Sequence, residues 1–164
     1  MSPKRSAALF VSLAAGGALL AGCGSSTLSQ EQLTELSKRS ASLEVKVQEA
    51  GDKANACATE TKAKTQGAEG IGKCLGAALT TAATEIDGIN DYVEELAGST
   101  GGDCKDELNG LSDALASTSS GLQEAAATAN KGDLEGISEQ LRSVTSGQVE
   151  VQVAGRAADK ACGG

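Results

Sequence analysis

Apolar and small side chains return every three or four residues along most of this chain, with charged ones between them. The first such stripe reads Leu33, Leu36, Ser40, Leu43, Val47, Ala50, Ala54, Cys57 and Thr61. That is the a/d spacing of a helix laid against other helices. Ser29 followed by Gln32 is a capping box at its start, and Gln66-Gly67 offers a turn beyond its end. A second stripe runs Ile71, Leu75, Ala78, Ala82, Ile86, Ile89, Val93, Leu96 and stops at the breaker Gly98-Ser99-Thr100-Gly101-Gly102. Asp103 is placed to cap a third helix, whose stripe is Cys104, Leu108, Leu111, Leu115, Thr118, Leu122, Ala125 and Ala129. Lys131-Gly132 ends it with a basic residue and a glycine suited to a left-handed C′ position. Asp133 caps a fourth helix, with Leu134, Ile137, Leu141, Val144, Gln148, Val151, Gly155, Ala158 and Cys162 on one face. Short turns set neighbouring helices antiparallel. Residues 29–164 are therefore predicted to be all-α, an up-down-up-down antiparallel four-helix bundle.

Two features pull against this pattern. Val149-Glu150-Val151-Gln152-Val153 alternates like a strand, and Leu43 to Val47 does so weakly. Both runs are short and sit inside a sustained helical period, so both are predicted helical. Interior glycines (Gly51, Gly88, Gly110, Gly121, Gly136, Gly147 and Gly155) each cost up to about 1 kcal/mol against alanine. Close helix approach in a Gly/Ala-rich chain accounts for them more simply than built-in flexibility.

The start of the chain has a different character. Lys4 and Arg5 precede an apolar run from Ala7 to Ala21, and the run closes on Leu20-Ala21-Gly22-Cys23. A basic start followed by about 15 apolar residues is the layout of a secretory signal, and it is short of the roughly 20 that span a bilayer. The Leu-Ala-Gly-Cys tetrapeptide resembles the lipobox of bacterial lipoproteins. The resemblance covers residues 1–23 only. It implies that residues 1–22 are a lipoprotein signal peptide that is removed. Cys23 then becomes the first residue, with diacylglycerol on its sulfur and often a further acyl chain, such as palmitate, on its amine. It also implies a protein anchored on the extracytoplasmic face of the cell membrane, with residues 23–28 as the lipidated cysteine and a short tether.

Residues 1–22 carry two basic side chains and no acid, so the remaining 142 residues hold 12 basic and 22 acidic ones, a formal charge of −10. Nucleic acid demands a basic footprint, and so does adsorption on anionic lipid; this surface offers neither. The chain has no His and no Trp, and Phe10 lies in the signal, which leaves Tyr92 as the sole aromatic of the remainder. The commonest general base and metal ligand is thus missing, as is any aromatic stacking platform. A core of Leu, Ile, Val and Ala is thin and invites covalent reinforcement.

With Cys23 acylated, Cys57, Cys74, Cys104 and Cys162 remain. An even number in an exported chain reads as two disulfides, and the spacings of 17, 30 and 58 contain no C-x2-C metal clamp. The bundle selects the pairing. Cys57 lies nine residues before Gln66 and Cys74 eight after it. Cys104 lies 28 residues before Gly132 and Cys162 30 after it. Each couple is thus nearly level on two neighbouring helices. Cys74 and the end of the second helix near Leu96 are about 33 Å apart along the axis, whereas disulfide Cα atoms lie within about 4.4–6.8 Å. Cys57–Cys74 and Cys104–Cys162 are therefore predicted, with no resident metal or cofactor.

Gly67-Ala68-Glu69-Gly70-Ile71-Gly72-Lys73-Cys74 approaches the phosphate-binding G-x-x-x-x-G-K-[ST] pattern. It lacks the final hydroxyl and the preceding strand, and it is read as a glycine-rich interhelical turn. Asp87, Asp91, Glu94 and Glu95 on the second helix, with Asp103, Asp106 and Glu107 at the start of the third, form a candidate acidic docking patch. A divalent cation is the other reading of these acids, but no calcium-loop pattern accompanies them. No serine or threonine has a His or Lys context that would make it a nucleophile. The sequence therefore predicts a non-enzymatic, lipid-anchored helical bundle that binds another protein of the envelope, one carrying basic charge. The alternative is a carrier or sensor of a small apolar ligand held between the helices.

Overall fold

The structure, a computed structural model, describes residues 27–57 and 60–163. The signal segment, Cys23 and most of the tether lie outside the described residues. The rest is a helical bundle of α1 (Gln30–Cys57), α2 (Glu60–Ser99), α3 (Gly102–Asn130) and α4 (Leu134–Cys162), with no strand among the described residues. None of these helices is long and apolar enough to cross a membrane.

The helix ends follow local chemistry. At the head of α1 the Ser29 amide donates to Gln32 Oε1 at 2.9 Å, and the Gln32 amide donates to Ser29 Oγ at 3.2 Å. This reciprocal capping box satisfies amides that have no partner within the helix. At the end of α3 the Gly132 amide reaches the Ala129 carbonyl at 2.8 Å and the Asp133 amide reaches Thr128 at 3.4 Å. This is a Schellman motif, and Gly132 meets its left-handed requirement with φ of 76°. Asp133 then caps α4, its Oδ1 accepting the Gly136 amide at 2.9 Å. Inside α2, Gly67 leaves helical geometry at φ 64° and ψ −175°, where the Gln66-Gly67 turn was expected. Gly70 and Gly72 are helical, so the glycine-rich turn is confined to Gly67. One cap differs from expectation. α3 begins two residues early, with Gly101 at the N-cap and no side-chain hydrogen bond there; Asp103 sits in the first turn. The positive φ of Gly102, 59°, lets the chain enter the helix before Asp103 can cap it.

The helices pack in sequence order, α1 on α2, α2 on α3 and α3 on α4. Gln32–Ser99, Arg39–Tyr92, Lys46–Glu85 and Cys57–Cys74 join α1 to α2. Residues advancing along α1 thus meet residues retreating along α2. The contacts Gly121–Val144, Gly147–Thr118 and Cys104–Cys162 run the same way between α3 and α4. The two disulfides are the pairs selected by level-matching, with Cα separations of 5.7 Å for Cys57–Cys74 and 4.7 Å for Cys104–Cys162.

The core lies mainly between α2 and α3, where Ile86, Val93, Leu96, Leu108, Leu115 and Leu122 are buried. α3 has neighbours on two sides and buries more than its expected stripe, adding Ser112, Ala114, Ser119 and Ala126. In α1 the expected stripe from Leu33 to Cys57 is inward but shallow, and only Ala50 and Cys57 are fully buried; α1 ends at Cys57, so Thr61, expected at the end of this stripe, belongs to α2. Leu141, predicted on the α4 stripe, is instead exposed at 38%. Glycine permits close approach at two seams. A Cβ on Gly72 would stand 2.0 Å from the Ala129 carbonyl oxygen, and one on Gly147 would stand 2.7 Å from Thr118 Oγ1.

Candidate docking surfaces

The strand-like run of α4 is helical, and its alternation has a structural meaning. Val151 packs against the core, while Val149 and Val153, one turn apart, stand 57% and 62% exposed. Facing them across the α3–α4 seam are Gly110 and Ala114, also one turn apart, and too small to fill the space between the helices. The result is an open groove of about 470 Å³, floored by Val149, Val153, Ala154, Ala157, Gly110 and Ala114. Three carboxylates line it, Glu107 and Asp113 from α3 and Glu150 from α4, and no basic side chain does. None of the three takes part in an ion pair among the described residues. A second, smaller hollow of about 110 Å³ lies further along the same seam, lined by polar and small residues such as Ser117, Thr118, Ser143 and Ser146.

The seven acids singled out from sequence fall into different settings. Asp87 and Glu94 lie on the α2–α3 seam. Asp87 Oδ2 accepts from Gln123 Nε2 at 3.3 Å, while Glu94 Oε1 accepts from Asn90 Nδ2 at 3.0 Å and Ser112 Oγ at 3.3 Å. Asp91, Glu95, Asp103 and Asp106 are exposed. Glu107 belongs to the α3–α4 groove, together with Asp113 and Glu150. Those last two were not singled out, nor were Val149 and Val153 as surface residues. Among the described residues no group of three or more His, Cys, Asp or Glu side chains is arranged to hold a metal ion.

The α1–α2 seam carries most of the bundle's electrostatic detail. Lys46 Nζ pairs with Glu85 Oε2 at 2.6 Å, and the Arg39 guanidinium sits 4.2 Å from the centre of the Tyr92 ring. Burial raises the Tyr92 phenol above its ordinary pKa. Glu35 and then the more weakly acting Glu95 and Glu31 add to the rise, against the opposing charge of Arg39. On the exposed face of α2, Lys73 Nζ donates to Glu69 Oε1 at 2.7 Å, and this bond and charge hold the Glu69 carboxyl below its usual value.

No protein-family model matches the chain, and no curated protein or solved structure matches it either.

Proposed function

We propose that this protein is a bacterial lipoprotein that binds another protein of the cell envelope and catalyses no reaction. Residues 1–22 direct export and are removed, Cys23 carries the acyl chains, and residues 29–164 form an up-down-up-down antiparallel four-helix bundle on the extracytoplasmic face of the membrane. The opposed running of the α1–α2 and α3–α4 contacts supports that topology. The acid-lined apolar groove between α3 and α4 is the observation that carries the binding role. Exposed valines rimmed by carboxylates suit a partner that brings both apolar and basic side chains. The groove is open along its length, which suits a polypeptide better than a small ligand that needs enclosure.

The same reading orients the bundle. The Leu28 amide donates to the Cys162 carbonyl at 3.3 Å, so the chain enters beside the Cys104–Cys162 disulfide. Cys23 lies five residues upstream, at most about 18 Å of extended chain. The Cys104–Cys162 end therefore stands next to the lipid and the Cys57–Cys74 end points away from it. Two measurements test the proposal. Cells fed labelled palmitate mark the parent protein and not Cys23→Ala; equal labelling of the variant contradicts the anchor. Pull-down from intact envelopes, without crosslinking, recovers a partner that high salt releases; recovery of none contradicts the binding role.

A further inference from the structure

We infer that the α3–α4 groove is the seat for an amphipathic helix that carries Lys or Arg beside its apolar face. This deepens the protein-binding reading and rests on it. The occupant follows from what the groove presents. Val149, Val153 and Ala157 recur at four-residue steps on α4, and Gly110 and Ala114 do so on α3. The two rows leave a trough about 12 Å long, the rise of eight helical residues. Its walls offer side chains and no unpaired strand edge, so an added helix, and not an added strand, is the geometry that fits. Apolar side chains of the occupant at i, i+4 and i+7 fall between Val149 and Val153 and over the gaps left by Gly110 and Ala114.

Charge decides the rest. Glu107, Asp113 and Glu150 line the trough, while the cations nearest in sequence, Lys105, Arg156 and Lys160, do not. Cationic side chains flanking the occupant's apolar stripe meet these carboxylates. A second copy of this chain, with a net charge of −8 over its full length, is repelled from the same place.

The probe is a synthetic helix of about 14 residues with leucine along one face and lysine along the other, titrated into the full-length, disulfide-bonded protein. Fluorescence anisotropy reports binding, and amide chemical shifts locate it. The expected result is saturable binding, with shifts at Gly110, Ala114, Val149 and Val153. Val149→Asp with Val153→Asp then weakens it by more than about tenfold, the loss expected for removing apolar anchors. Those substitutions add negative charge, so attraction by charge alone would strengthen binding. Unchanged or tighter binding by this variant overturns the proposal, as does equal binding of a leucine/glutamate helix. Both substitutions are on exposed sites, and circular dichroism verifies that the fold is kept. Self-association that disappears in the variant also overturns it, by seating a second copy in the groove. If the variant still captures in envelopes the salt-released partner of the parent protein, the groove assignment fails while the binding role stands. If the parent protein captures none, the binding role itself fails.

Discussion

The pairs α1–α2 and α3–α4 are fastened in opposite ways. In the first, the disulfide closes 17 residues near the turn, and along the rest of α1 the shallow packing of Leu33, Leu36 and Leu43 is reinforced by polar contacts at the surface. These are the Lys46–Glu85 ion pair, Arg39 over Tyr92, and the 3.3 Å bond from Gln32 to Ser99. In the second, the disulfide closes 58 residues at the end away from the turn, while the turn itself is fixed by the Schellman motif and the Asp133 cap. No ion pair joins α3 to α4 among the described residues; buried side chains and close glycine contacts hold them. A clip at the turn restrains only the part of a helix near it. A clip at the open end restrains both ends and keeps the intervening surface in one shape. The groove lies on the pair restrained in that second way, and a preformed surface binds without first spending free energy on ordering itself.

Removing the disulfides should separate the two pairs most strongly. Replacing Cys104 and Cys162 by serine should cost about 4 kcal/mol and replacing Cys57 and Cys74 about 3 kcal/mol, as upper figures from loop closure. The first change should lower the whole unfolding transition in urea. The second should speed amide exchange in α1 while α3 and α4 keep their protection. Next in size, Leu108→Ala, at a fully buried α3 site, should cost about 2–5 kcal/mol. Leu36→Ala, on the half-buried α1 stripe, should cost under about 1.5 kcal/mol in the same denaturation series.

Glycine substitutions should change sign between the α2–α3 seam and the outer face of α1. Gly72→Ala places a Cβ against the Ala129 carbonyl of α3 and should destabilise by about 1–3 kcal/mol. Gly51→Ala on α1 meets nothing within 4 Å and should stabilise by about 0.5–1 kcal/mol, read as a rise in Tm. The smallest effects belong to the α1–α2 seam. Arg39→Ala should cost about 0.5–1 kcal/mol through the loss of its contact with Tyr92. Because the Tyr92 phenol is raised in the folded state, its proton is held to higher pH than in the unfolded chain. Stability from this source is whole below the unfolded pKa of about 10 and is lost as pH rises through the folded value. Alkaline denaturation of Tyr92→Phe, compared with the parent, should lack that part of the loss.

The four-helix pattern, the Ser29 and Asp133 caps, the Gly132 stop and both cysteine pairs were legible from spacing, because each depends on residues close in sequence or on helix rise alone. Depth of burial was not. The α1 and α3 stripes look alike in sequence, yet α3 has two neighbours and α1 chiefly one, and the number of neighbours is a tertiary fact. The second buried face of α3 escaped notice because Ser112, Ala114 and Ser119 are small or polar, and small side chains pack between helices without a hydropathy signal. The groove hid behind a misleading one. Val149, Val151 and Val153 alternate as in a strand, while on the helix they divide into one inward and two outward valines. Proximity in sequence groups Glu107 with Asp103 and Asp106, whereas the fold sets it in the groove with Asp113 on its own helix and Glu150 on the opposite one.

Val45 on α1 and Val153 on α4 are equally exposed, at 59% and 62%, but only Val153 lines the acid-rimmed groove. Photocrosslinking side chains placed singly at these positions, in the protein expressed in its own cells, therefore test the account most directly. It predicts a discrete protein adduct from position 153, formed in lower yield when irradiated at high salt, and none from position 45. Adducts of equal yield from both, or adduct formation from position 45 alone, would contradict it.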